Sequence, residues 1–559
     1  MYLFLKSSKW FVIDKRFTLL LLILFPGFSF AQLDQVKSIE IQMEKHSNDR
    51  NYNVHVLKDN SIMLVTENDH ATSSKYKRWT FSKYDTSFAV QWQKEMEIRF
   101  YYSAIKSYDN DNYFYILFKE KEAQKVTVVR IDYKSGDLES FDGVLPTKIE
   151  DINEFKVLSN MALIAGKINQ RPVVMAFRFF DKKIQVLPAL YDKNMQLNNI
   201  NINDQKNIVD IVVAENNKKK NKLGLKIKSY AYSGKLLQDV TLSAPKNKIL
   251  QTGKISHTTA NENEDFMIGN FADSRNEYTL GLYFAKMNNN EQQFIKYYDF
   301  AELKNFFNYL KPKNKIRTKE RLQRRLAMGK QSNLRYKLLI HNIVQHNNEF
   351  ILVAEAYYPE YKTNMYNSYG YGGYGMNQLY GYQNPFYNPS YLYNGLYNGN
   401  NINRNYRNDR ILEGYKYSHA IVCSFNMNGD LLWDNCFPIG GDLLNKTLEE
   451  LVKVAFEEDG KMILMYPHDD KMHTEVIKGG EVIAEKEKFD INKIQTDQRI
   501  RSSDIISMQH WYNNYFISWG FREMRRKNND ENFSSHKVFY LSKITYHVNN
   551  LASNKKETK

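Results

Sequence analysis

The chain has 559 residues, with 78 Lys+Arg against 63 Asp+Glu, a formal charge of +15 and 14% aromatic side chains. That aromatic content excludes a mostly disordered chain, and a charged fraction of 25% excludes a helical integral membrane protein. Two cysteines exclude a disulfide-stapled scaffold and a zinc site built from four thiolates.

Residues 1–31 read as a secretory signal. Lys6, Lys9, Lys15 and Arg16 form a basic start, and FTLLLLILF (17–25) is the apolar stretch. Pro26 and Gly27 break it, and Ser29 and Ala31 are small residues placed for cleavage before Gln32. The apolar run is about half of the ~20 residues a spanning helix needs. No cysteine follows it for lipid attachment, and no later apolar run has spanning length. The expected location is the periplasm or the outer membrane.

Without 1–31 the formal charge is +12. Segment 311–330 carries +8, while 401–410 and the tail 551–559 carry +2 each, so the remainder is neutral. The basicity is local. Nucleic acid is therefore not an expected partner.

From residue 32 to 550 the chain repeats. VTVVRIDYKSGDL (126–138), KIKSYAYSGKL (226–236) and AIVCSFNMNGDL (420–431) align on Gly136, Gly234 and Gly429. Each is a strand, a turn that needs positive φ at glycine, and a second strand. An apolar run precedes each: YFYILF (113–118), IVDIVVA (208–214) and FILVAEA (350–356). Turn centres near Asp85, Gly136, Lys182, Gly234, Asn288, Gly429, Gly479 and Asn549 are 51, 46, 52, 54, 141, 50 and 70 residues apart. The fifth step is read as two repeats plus two insertions. Eight units of about 50 residues result, each with three or four short strands.

This pattern resembles the β-propeller superfamily at fold level. The resemblance implies an all-β fold, a single propeller of seven or eight four-stranded blades. No regular WD40 spacing, paired-glycine kelch pattern or Ser-x-Asp-x-Gly-x-Thr-Trp box accompanies it. The last unit, with YFISWG (515–520) and VFYLSKITYHV (538–548), lacks an outer strand, and DQVKSIEIQ (34–42) lacks a partner. Pairing the two would close the ring and cover exposed edges.

The first insertion, 299–333, is expected to be a basic helical hairpin. Asp299 and Glu302 fit a capping box, and Phe300, Leu303, Phe306, Phe307 and Leu310 form one apolar face ended by Pro312. A second helix is expected over 315–328, stopped by Gly329, docking through Leu322 and Leu326. Arg317, Arg321, Arg324, Arg325 and Met328 share its other face. Guanidinium forks match phosphate and carboxylate, which makes the four arginines a candidate anion site; a solvated charged face is the plainer reading.

The second insertion, 361–410, holds 12 Tyr, 12 Asn and 7 Gly in 50 residues. It is expected as a loop within one blade. Its tyrosines, Tyr371, Tyr374, Tyr380 and Tyr382 among them, suit contact with a partner or with sugar rings.

No Gly-x-Ser-x-Gly, His-Glu-x-x-His, P-loop or dinucleotide fingerprint occurs. His468, Asp469, Asp470 and His473 could ligate a metal, but Lys471 lies among them and a polar turn is expected there. Asp109-Asn110-Asp111 starts like a calcium loop and then departs from it, so it is read as a turn. A three-residue turn over 427–429 would pair Phe425 with Leu431 and set Cys423 opposite Trp433, leaving Cys423 and Cys436 as free buried thiols, the expected outcome; only a two-residue turn at Gly429-Asp430 would set Cys423 opposite Cys436. No cofactor, catalytic residue or resident metal is expected. The function expected is a non-catalytic binding or scaffold protein of the cell envelope. Its partner would be an envelope protein or an anionic envelope component, with peripheral membrane association. The alternative is a carbohydrate-active enzyme with its site in the central channel.

Overall fold

A computed structural model describes residues 30–43, 52–73, 75–121, 123–217, 222–245, 247–257, 264–273, 278–288, 291–330, 332, 334, 336–346, 348–363, 410–440, 443–468, 471–490, 500–525 and 535–549. Residues 1–29 of the signal reading and the Tyr-rich stretch 364–409 lie outside them.

The apolar runs become strands because their alternate side chains are buried against two different neighbouring sheets. Eight sheets follow one another along the chain. Blade 1 is Tyr52–Val56, Ile62–Ser73, Tyr76–Tyr84 and Val90–Arg99. Blade 2 is Tyr102–Asp109, Tyr113–Glu120, Lys125–Asp132 and Leu138–Val144. Blade 3 is Asp151–Leu158, Met161–Ile168, Arg171–Arg178 and Ile184–Val186. Blades 4, 5 and 7 begin at Met195, Lys248 and Lys453 and repeat the order. In blade 6 the first strand is broken into Lys337–Ile340 and Val344–His346, both paired with Glu349–Thr363. First strands of blades 2 to 6 touch in succession, as do those of blades 7 and 8, along the inner side of the ring. The chain is an eight-bladed β-propeller.

Blade 8 has three strands from the C-terminal part, Ile500–Tyr512, Tyr515–Arg525 and Ser535–Asn549, and its outer strand is Phe30–Gln42. Ile39 faces Leu541 and Ile41 faces Phe539 in this antiparallel pairing. Buried Arg522 fixes the junction: Nη1 donates to Ser38 Oγ at 2.7 Å, Nη2 to Ser542 Oγ at 3.1 Å, and the guanidinium stacks on Tyr540. The seam with blade 1 is sealed by Phe88 stacked on Trp511, whose indole N–H donates to Asn60 O at 2.8 Å.

The repeat glycines serve two purposes. Gly136, Gly234 and Gly429 have φ of 72°, 80° and 76°, as the turns require. Each also meets the preceding blade: an added Cβ would lie 2.8 Å from the Trp92 ring at Gly136 and 2.6 Å from Phe284 at Gly429. The preceding blade then bonds the turn itself. Trp92 Nε1 donates to Tyr133 O at 3.0 Å, Gln185 Nε2 to Ser233 O at 2.8 Å, and Tyr298 OH to Gly429 O. The 50-residue period is thus also an inter-blade contact repeated around the ring.

Three expectations are corrected. The step from Asn288 to Gly429 contains one blade and not two, because the insertions fill the extra length. Asn549 is no hairpin turn; it pairs with Phe30, since the neighbouring strand comes from the other end of the chain. Phe425 does pair with Leu431, but a bulge after Ser424 puts Trp433 opposite Ser424 and Asp434 opposite Cys423. Cys423 and Cys436 are buried free thiols, and burial pushes both thiol pKa values up.

Two outcomes follow. Deleting 32–44 exposes the edge of 535–549 and should lower the melting temperature by about 10 °C or more; a truncated protein that melts like the intact one would refute the closure. Gly460 has φ 82° with nothing within 4 Å, so Gly460→Ala should lose only the about 1–2 kcal/mol of the positive φ. Gly136→Ala should lose about 1–3 kcal/mol more in urea denaturation, because its Cβ meets Trp92. Equal losses would contradict the contact with the preceding blade.

Candidate functional site

The first insertion leaves blade 5 at Asp299. Half of the capping box forms: Glu302 Oε2 accepts from Asp299 N at 3.3 Å, while Asp299 Oδ1 accepts from Ala301 N at 2.9 Å instead of from Glu302 N. The expected first helix does not follow; only a 3-10 turn, Phe306–Tyr309, is present. Its competitor is blade 6. Asp434 accepts from the backbone N–H groups of Lys304 and Asn305 at 3.0 and 2.6 Å, so these donors turn to a neighbouring strand instead of an α-helical ladder. Phe300, Leu303, Phe306 and Phe307 are buried in the core between blades 5 and 6. Tyr309 stacks on buried His419, and the Tyr309 and Tyr336 hydroxyls share a hydrogen bond.

Pro312 begins the one helix of the insertion, Pro312–Ala327, where its missing N–H costs nothing. Gly329, at φ 67°, ends it: Lys330 N bonds Arg325 O and Gly329 N bonds Leu326 O, a Schellman stop. Leu322 is buried, but Leu326 is 43% exposed, so the expected two-leucine dock is one leucine. Lysines complete it. Lys315 Nζ donates to Asn308 Oδ1 at 2.7 Å and Lys319 Nζ to Lys304 O at 3.1 Å, which ties the helix to the turn before it.

Arg317, Arg321, Arg324 and Arg325 are brought together with Thr318 and Met328 around a surface depression of about 450 Å³ that no acidic residue lines. Arg324 Nε also donates to Glu320 O at 3.3 Å.

The second insertion extends blade 6. Glu349–Thr363 and Arg410–Phe425 stay paired as far as Thr363 opposite Arg410, forming a ribbon that reaches well past the blade. Leu444–Asn445, from the connection to blade 7, pairs with the ribbon at Lys416 and Tyr415. Tyr371, Tyr374, Tyr380 and Tyr382 lie outside the described residues. In an antiparallel blade, the turn between strands two and three points the same way as the connection to the next blade. The arginine helix is such a connection and the ribbon is such a turn, so both stand on one face of the ring.

The channel holds charges that the sequence reading did not single out. The inner strands of blades 2 to 5 each carry a bulge, after Ala104, Ile152, Leu197 and Leu250. Lys106 and Glu154 follow their bulges at the same level; Lys156 and Lys254 lie two residues farther along their strands. Lys254 feels Glu154 from blade 3 and Glu450 from the connection before blade 7. Residues from blades this far apart meet only on the axis. Burial lowers the Lys254 and Lys106 pKa values, and nearby Lys156 adds to this while Glu154 opposes it. Burial disfavours the Glu450 charge, yet His341, Lys453 and Lys254 outweigh it and lower its pKa. Glu355, fully buried, accepts from Leu451 N at 2.9 Å, Val452 N at 2.8 Å and His341 Nε2 at 2.9 Å. These residues were hidden because their meeting depends on ring closure and register, not on spacing.

No protein-family model matches the chain, and no curated protein matches it. Among solved structures it is similar to a prolyl endopeptidase at 9% identity and TM-score 0.33, over 80% of this chain and 50% of that one. The chain thus spans half the length of that protein. It is also similar to the polysaccharide lyase Uly1, at 8% identity and TM-score 0.36 over 79% and 90% of the two chains. A functionally unknown protein from Desulfotomaculum acetoxidans matches at 11% identity and TM-score 0.33, over 72% and 91%. Likeness at this level says nothing of activity.

Of the metal candidate, the His468 and His473 rings stand 6.0 Å apart, with His473 stacked on Tyr466 and Lys471 opposite His468 at the end of the strand pair; Asp469 and Asp470 lie outside the described residues. Asp109-Asn110-Asp111 forms a turn, closed by Asn110 Oδ1 accepting from Asn112 N and Tyr113 N.

On the opposite face, His257 is held between two carboxylates, with Nδ1 2.7 Å from Asp265 Oδ1 and Nε2 3.3 Å from Asp210 Oδ2. Burial opposes its charge, but the bonds to Asp210 and Asp265 and their negative charges raise its pKa to about 9. The charged imidazole therefore ties blade 4 to blade 5. A raised folded pKa gives stability that is fully present below about 6.5 and is lost as pH rises through about 9. Between pH 6.5 and 9.5 the protein should lose up to about 3 kcal/mol that His257→Gln does not lose. Parallel pH profiles for the two proteins would contradict this.

Proposed function

We propose that this chain is an exported, non-catalytic binding protein of the cell envelope that grips an acidic partner with one face of its propeller. The observation that carries the reading is the arginine helix. Four guanidiniums surround one depression on a helix that is docked, capped and placed on the same face as the Tyr-rich ribbon. Leu322, Lys315 and Lys319 tie this helix to the rest of the fold, and the arginines line the depression beside them. Arg forks pair with carboxylate or phosphate, and an exposed cluster of them attracts over about 10 Å at 0.1 M salt. The tyrosines of 364–409 would add contact area that salt does not weaken. Among the described residues no helix is long and apolar enough to cross a membrane.

The charged channel favours a second reading, a carbohydrate-active enzyme with its site on the axis, because Glu154 and Glu450 stand near Lys254 there. Glu154→Gln or Glu450→Gln would then abolish turnover of an envelope polysaccharide without changing retention.

Replacing Arg317, Arg321, Arg324 and Arg325 with Ser should shift stability by less than about 1 kcal/mol. The same change should release most of the protein from envelope fractions at low salt, as 0.5 M salt should do for the unmodified protein. Full retention of a well-folded quadruple variant would refute the binding reading.

A further inference from the structure

We propose that the face of the ring bearing the arginine helix rests on an anionic lipid surface. Arg317, Arg321, Arg324 and Arg325 take lipid phosphates there, and exposed aromatic side chains settle among the headgroups. The proposal rests on the acidic-partner reading above and names that partner as lipid, not protein.

The helix presents two kinds of group. At about 100° per residue, Arg317, Arg321 and Arg324 lie opposite Lys315, Lys319 and Leu322, which hold the helix to the fold. The arginine side therefore faces away from the docked side. Apolar side chains share this outer surface. Ile316 is 60% exposed on its flank, and Met328, 65% exposed, lines the depression among the guanidiniums. Carboxylates alone would pair with the arginines and leave Ile316 and Met328 in water. A lipid surface offers phosphates beside an apolar layer, which suits a basic helix with exposed apolar side chains.

The ring carries the same pattern. Connections between blades and turns between strands two and three lie on the face of the helix. Exposed there are Tyr76, at the start of the third strand of blade 1, Phe100 and Tyr101 after that blade, Tyr191 after blade 3, and Tyr358 and Tyr361 on the ribbon of blade 6. Among the described residues, the other face has one exposed aromatic side chain, Phe180, in the turn between strands three and four of blade 3. Blades 1, 3 and 6 lie two, three and three steps apart around the ring of eight. A flat surface reaches all three, where a small acidic partner at the helix reaches one. Tyrosine rings suit a headgroup layer, which is apolar on one side and wet on the other. The Arg171 guanidinium lies over the Tyr191 ring, 4.9 Å from its centre, so a cation accompanies an aromatic away from the helix too. The connections themselves mix signs, Lys148 with Glu150 and Asp151, and Asp192 with Lys193, so the helix gives this face its positive charge.

Flotation of the whole chain with phosphatidylcholine vesicles, with and without phosphatidylglycerol, tests the proposal, and soluble polyglutamate is the parallel probe. At about 0.1 M salt the chain should bind the anionic vesicles about tenfold or more tighter than the neutral ones, given four arginines at a charged surface. Replacing the four arginines with Ser should remove that difference. Tyr101→Ser combined with Tyr191→Ser, on blades away from the helix, should weaken vesicle binding about threefold or more and leave polyglutamate binding unchanged. Equal binding to neutral vesicles, no binding to anionic ones, or no effect of the tyrosine pair would each overturn the lipid proposal. Polyglutamate bound through the arginines without vesicle binding would overturn it and leave the acidic-partner reading standing. Binding of neither probe by the folded chain would overturn both.

Discussion

The molecule depends on one pairing, that of Phe30–Gln42 with Ser535–Asn549. A sheet ring has no closing contact until its two ends meet, and an unpaired edge is open to other chains. Here the two ends of the chain share one sheet, so blade 8 cannot form without both. The seam between blades 8 and 1 is held by Phe88 on Trp511 and Tyr52 on Phe539. The axial channel exists only as a consequence. Lys254, Glu154 and Glu450 belong to distant parts of the chain and become neighbours because the ring is closed.

Much of this was legible in the sequence, for a physical reason. A blade is a local object: its turns need glycine at fixed places, its strands need apolar alternation, and both leave a period. Gly136, Gly234 and Gly429 carried the period, and their contacts with the preceding blade explain why the position tolerates so little. The missing outer strand was equally legible, because DQVKSIEIQ had strand character and no local partner. What was not legible is non-local. The apolar face of 300–310 looked helical by spacing, yet Asp434, over a hundred residues away, takes the backbone donors that a helix would have used. Leu326 looked like a docking residue, while Lys315 and Lys319 do that work through acceptors on the preceding turn.

The candidate site divides in the same way. The four arginines could be found from the sequence because they lie within nine residues of one helix. The channel charges could not, because strand bulges set their levels and closure sets their distances. His257 is a further case: its two carboxylates come from blade 4 and from the next strand of its own blade, and only their joint placement makes it a cation near neutral pH. Propeller architecture thus separates the duties. The repeat builds the ring, the insertions give one face a charge and a reach that the ring does not need, and the axis collects polar groups from several blades.

Native-state hydrogen exchange of the terminal strand tests the closure most directly. Amides of 33–41 that point toward 538–546 should exchange only as fast as those of the central strand 161–168, with the same dependence on denaturant, because both open only when the ring opens. Rapid exchange of 33–41 while 161–168 stays protected would mean that the strand is a frayed edge, and that the ring does not depend on it.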